Sequence, residues 1–176
     1  MYSGTFNIFK RYWASYGGFS LLIKSPYLHL ALLLLILTNH FWINEKWWEQ
    51  SISVLPNLLG FSLGGFAMFL GFGDEKFRAV LAEKDEDGNV TPYMSLCASF
   101  VHFIIVQFIA LLSAIVAKSF DFHADLPPYF FWIICFGNGV GYLTFLYSIT
   151  AMLAATMAVF RTCSWYEFHQ ENKSDK

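Results

Sequence analysis

Charge is the scarcest commodity in this chain. Asp, Glu, Lys and Arg make up 14% of its 176 residues, where soluble domains carry about 25%. The missing charges imply a solvent other than water. The formal net charge of −2 lacks the basic excess of a nucleic-acid-binding surface, so direct nucleic-acid contact is not expected. Cysteine is equally sparse. Cys97, Cys135 and Cys163 stand alone, odd in number and without a CxxC pair, which supports neither a disulfide framework nor a zinc site. HExxH, GxSxG and Walker-type loops are missing as well, and a non-enzyme without cofactor or metal is expected. Finally, no Asp, Glu, Lys or Arg lies in the middle of a long apolar run. Proton- and ion-coupled transporters usually need such a group, so its absence argues against that class.

What is present is apolar and aromatic. Hydrophobic residues reach 56%, aromatics 20%, and the mean hydropathy is +0.47. This composition predicts an all-α, integral membrane four-helix bundle with an N-terminal interfacial helix. In residues 1–24, Phe6, Phe9, Trp13 and Tyr16 recur at helical spacing beside Lys10 and Arg11, as in a helix lying in the headgroup layer. Gly17-Gly18 ends or hinges it. The apolar run that follows has basic residues ahead of it but no small-x-small cleavage site behind it, which reads as a retained anchor.

Four spans are expected, over about 26–43, 51–72, 93–117 and 130–160. The first contains LHLALLLLILT; its eighteen residues cover roughly 27 Å, against a hydrocarbon core of about 30 Å. Its leucine-rich middle suits lipid. Pro56 falls near the start of the second span, where proline costs little. The fourth span is long for one crossing. The segment 74–92 is the only long polar stretch, and 161–176 forms a cytoplasmic tail with a disordered end. Asp85, Glu86 and Asp87 invite a calcium reading, but glycine comes at position four of the loop and Leu96 stands where the bidentate Glu belongs, so a solvated turn is expected.

Lys and Arg distribution sets the orientation. Nine fall in 1–24, 74–92 and 161–176, against two (Lys46 and Lys118) in the other connections. Both termini and 74–92 are therefore expected in the cytoplasm, with the chain multi-pass in a cell inner membrane.

The most informative stretch is LPNLLGFSLGGFAMFLGFG, residues 55–73. Gly60, Gly64, Ala67 and Gly71 step by four, three and four, which makes one smooth ridge on a helix. Gly137 and Gly141 open a second ridge on span four that continues through Thr144, Ser148, Ala151 and Ala155. Two such ridges are expected to pack on each other or on copies of the chain, as a homo-oligomer. The intramembrane polar residues Asn57, His102, Gln107 and Asn138 are the default functional candidates. For His102 two readings stand side by side: a proton relay or gating sensor, or an interhelical hydrogen bond, for example to Asn57 or Asn138. Asp85, Glu86, Asp87, Trp165 and Tyr166 are candidate docking points for a cytoplasmic protein partner.

In its four-span plan, its size, its polar segment after span two and the run LPNLLGFSLGGFAMFLGFG leading into GDEKF, the chain resembles the small four-helix inner-membrane subunits encoded beside a soluble effector in bacterial phage-defence systems, such as the Kiwa membrane subunit. The resemblance implies a homo-oligomer that detects membrane disturbance and recruits or activates a nucleic-acid-targeting partner. No functional residue is carried over with it. Together these observations give a polytopic membrane scaffold or sensor that oligomerises and couples the bilayer to a cytoplasmic partner, with a role in antiviral defence. The alternative is an oligomeric pore lined by Asn, Ser and His.

Overall fold

The computed structural model describes residues 2–73, 75–83, 90–120 and 130–174. Among them the chain is entirely helical: α1 (Tyr2–Tyr16), α2 (Gly18–Lys24), α3 (Pro26–Leu37), α4 (Asn39–Asn44), α5 (Trp47–Gly71), α6 (Glu75–Ala82), α7 (Pro92–Ser119) and α8 (Phe130–Ser174). Three of these, α5, α7 and α8, are long and apolar enough to cross a membrane. A fourth crossing arises only if α2 and α3, bent by 53° at Ser25, count as one broken span.

The expected first span, 26–43, is not one helix. It breaks at Thr38, between α3 and α4. Polar side chains there offer the backbone an alternative to continuing. The Thr38 hydroxyl donates to the Leu34 carbonyl at 2.7 Å and the Asn39 amide to Ile36 at 3.0 Å. The Trp42 indole N–H reaches back to the Leu35 carbonyl at 3.0 Å. The last carbonyls of α3 are thereby satisfied without a further helical turn. At about 1.5 Å per residue the twelve residues of α3 cover only about 18 Å, short of a bilayer core.

The other boundaries move as well. α5 starts at Trp47, so Pro56 lies inside the helix and not in its first turn. The Ile52 carbonyl therefore has no amide hydrogen to accept from residue 56. α8 runs unbroken through Ser174, far past the expected end at 160 and into the end of the tail, the part expected to be disordered. Its 45 residues extend about 68 Å, roughly twice a hydrocarbon core, so one end projects well beyond any bilayer.

The core forms where α5 packs on α7, and where α7 and α3 pack on α8. α5 and α8 meet far less. Trp47, Leu55, Phe100, Phe145 and Gln107 are among the fully buried side chains. Ala31 of α3 is wholly covered, and the Thr150 hydroxyl of α8 donates to the Tyr27 carbonyl at 2.9 Å, tying α3 to α8 near its start.

Candidate functional site

The most developed polar constellation surrounds His102. Ten residues into α7, its ring is buried and bonded on both nitrogens. The Tyr12 hydroxyl lies 2.8 Å from Nδ1 and the Tyr147 hydroxyl 3.0 Å from Nε2. A neutral imidazole has one N–H and one lone pair, and a phenol can donate or accept, so either tautomer satisfies both bonds. Tyr16 closes the remaining face, stacked on the imidazole at 3.8 Å between centroids and 15° between planes. Three elements thus meet on one side chain: α1 supplies Tyr12 and Tyr16, α7 the histidine, and α8 Tyr147. The expected bond to Asn57 or Asn138 is not formed; His102 is committed to tyrosines instead.

This changes the role of α1. Part of its aromatic side packs inward. Tyr12 and Tyr16 are turned onto α7, while Phe6 and Phe9 remain exposed. A pocket of about 370 Å³ between α1, α7 and α8 is lined by Phe9, Trp13, Ile105, Ile109 and Thr144 in addition to Tyr12, His102 and Tyr147. Burial pushes the Tyr12 phenol up to about 12, with the neighbouring Tyr16 adding to the effect. Burial raises Tyr16 too. Both remain protonated over the physiological range. The α1–α2 joint is made by Gly17 and Gly18, with φ of +104° and +64°, a region that side chains with a Cβ rarely enter.

At the other end of the bundle the polar candidate Asn138 accepts from the Trp47 indole N–H at 3.2 Å. Gly141, one turn on, makes that contact possible: a Cβ there would stand 2.5 and 2.6 Å from the Trp47 ring atoms Cη2 and Cζ2. Gly139 gives Trp42 a similar but looser seat, at 3.3 Å. The lower ridge of α8 is filled in the same way, since Ser148, Ala151 and Ala155 are all buried.

Gln107 is different. It is completely buried on α7, and neither its amide nitrogen nor its carbonyl oxygen has a hydrogen-bond partner among the described residues. An orphaned amide of this kind costs about 1–3 kcal/mol.

The ridge on α5 does not pack against the ridge on α8. A Cβ added at Gly60, Gly64 or Gly71 would meet nothing within 4 Å, and Ala67 is exposed beside them. Asn57, three residues before Gly60, is exposed on the same face. Gly137 on α8 likewise faces open space. Of the two packings expected for the ridges, on each other or on copies of the chain, the first is not formed: the α8 ridge is filled from Gly141 onward and the α5 ridge is open.

Beyond α5 the chain turns at Gly73, whose φ is +81° and whose added Cβ would run into Phe77 at 2.6 Å. α6 then tucks Phe77 and Leu81 inward. Tyr166 of α8 closes on this joint, 5.2 Å from Phe72 and 5.1 Å from Phe77 between ring centroids. Tyr166, a candidate docking residue, is therefore engaged within the chain. Trp165 beside it remains exposed. Asp85, Glu86 and Asp87 lie outside the described residues. Among the described residues no three His, Cys, Asp or Glu side chains come together to hold a metal.

Sequence reasoning missed Tyr12, Tyr147 and Trp47. Tyr12 stands one turn before Tyr16, and that i, i+4 pair was the available signal for a stacked aromatic clamp. Nothing local marks Tyr147 or the Trp47–Gly141 fit. No protein-family model, curated protein or solved structure matches the chain.

Proposed function

We propose that the chain is a polytopic membrane scaffold that oligomerises through the open face of α5 and couples the bilayer to a cytoplasmic protein. The observation that carries this reading is the unfilled ridge of Gly60, Gly64, Ala67 and Gly71. In lipid, apolar surface alone gives helices little reason to associate; close backbone approach at small residues does. A second copy of α5 supplies such a surface, and Asn57 on the same face can bond to its counterpart. The resemblance to phage-defence membrane subunits supports a role in antiviral defence at an inner membrane, and the Lys and Arg distribution supports cytoplasmic termini.

The signal path in this reading runs from α5 through the Gly71–Gly73 joint to α6 and the projecting end of α8, where Tyr166 holds Phe72 and Phe77. A pore would need several polar side chains on the open face. His102 and Gln107 are buried in the protomer and Asn138 is bonded to Trp47, which leaves Asn57 as the one of these four candidates on the open face and favours the scaffold.

The test is stoichiometry. Wild-type chain extracted gently from membranes should be oligomeric by native mass spectrometry and by cryo-electron microscopy, and Gly64→Leu should be monomeric with its helical content intact. An oligomer unchanged by Gly64→Leu would overturn the assignment of the interface.

A further inference from the structure

A second cleft, of about 570 Å³, opens over α8 between the start of α3 and the start of α7. Ala151, Ala154 and Ala158 line its α8 side, small residues that leave the space empty. Lys24, Arg161 and Ser95 line it together with them. Among the described residues no carboxylate lines it. Lys24 stands two residues before Pro26, where α3 begins, and Arg161 directly follows Phe160, where the apolar part of α8 ends. Lys24 closes the apolar helix α2 just ahead of α3, and Arg161 stands where the apolar part of α8 gives way to polar sequence, as residues at headgroup level do. The cleft thus combines an apolar alanine side with two cations and has a volume suited to a small-molecule ligand.

We propose that this cleft binds an anionic phospholipid, with Lys24 and Arg161 holding the phosphate and the alanine floor taking the first part of an acyl chain. Arg presents a planar fork that matches phosphate oxygens, and Lys adds a point charge. Ser95 offers a hydroxyl to the headgroup. The site rests on the membrane reading above but not on oligomerisation. Because Tyr16 and Tyr147 also line the cleft, an occupant touches the same tyrosines that enclose His102, and lipid composition is thereby linked to the seating of α1.

The experiment is native mass spectrometry of the full chain in detergent, titrated with phosphatidylglycerol, phosphatidylcholine or inorganic phosphate, on wild type and on Gly64→Leu. Wild type and Gly64→Leu should both retain phosphatidylglycerol. Lys24→Gln/Arg161→Gln should weaken retention by about thirtyfold, the worth of two headgroup-level charges. Ala154→Leu, which fills the floor and keeps both cations, should weaken it as well. Lys10→Gln/Arg11→Gln should not change it. Equal retention of phosphatidylcholine, or unchanged retention in the Lys24→Gln/Arg161→Gln chain, would overturn the proposal. Displacement of the lipid by millimolar inorganic phosphate would overturn it in favour of a soluble phosphate ligand. Loss of lipid in Gly64→Leu alone would assign the lipid to the oligomer interface and overturn the cleft.

Discussion

Two helices of this protein carry the same device and use it in opposite ways. α8 and α5 each present small residues at helical spacing. On α8 the ridge is occupied from Gly141 onward: Trp47 sits against Gly141, and Ser148, Ala151 and Ala155 are covered. On α5 the ridge faces outward with nothing within 4 Å of an added Cβ at Gly60, Gly64 or Gly71. Small residues state that a backbone can be approached closely; they do not state by what. The filled ridge has a bulky knob, Trp47, anchored by a hydrogen bond to Asn138. The open ridge has no counterpart among the described residues.

The contrast is sharpest when one substitution is made on both sides. Gly141→Ala pushes a methyl into a buried, hydrogen-bonded indole that has little room to give. It should destabilise the bundle by about 1–3 kcal/mol, the usual cost of overpacking, measured by unfolding in mixed micelles. Gly60→Ala on the open face should instead stabilise the isolated protomer helix by about 0.5–1 kcal/mol, because alanine loses less backbone entropy than glycine, while it weakens assembly. If both changes moved protomer stability in the same direction, the distinction between filled and open ridges would be wrong.

The filled side has its own flaw in Gln107. Gln107→Leu should raise stability by about 1–3 kcal/mol if the amide is orphaned, and a loss would mean that the amide has a partner such as a buried water. Asn138→Ala removes the acceptor of the Trp47 indole and should cost about 1 kcal/mol, read in the same unfolding assay and accompanied by a shift in tryptophan emission.

The smallest effect belongs to α1. The folded state holds the Tyr12 phenol at about 12, above its ordinary value of about 10, so folding favours the protonated form. That contribution is complete below pH ~10 and is lost as pH rises from about 10 towards 12. A spin-label distance between α1 and α7 should lengthen over that window, and Tyr12→Phe should remove the pH dependence.

Much of this architecture was legible in the chain. Scarce charge and long apolar runs identify membrane-type helices at α5, α7 and α8, because helix formation is local and each residue bonds four positions away. The break at Thr38 was harder. Thr and Asn are ordinary in an apolar run until their side chains bond the preceding carbonyls. The His102 site was half legible. The histidine stood out as a polar group in an apolar stretch, but its partners lie 90 and 45 residues away, and residue periodicity carries no information at that separation.

The division between sequence and structure is therefore physical. Composition and period determined by themselves that the chain is helical, that its long helices suit lipid, and that two of them carry ridges for close approach. Those properties depend on solvent preference and on bonds within single helices. Only the tertiary structure decided that Trp47 fills the ridge of α8, that α1 folds back onto His102, and that the ridge of α5 stays open. Those outcomes depend on shape matching between distant segments, where an indole either fits against a glycine or does not.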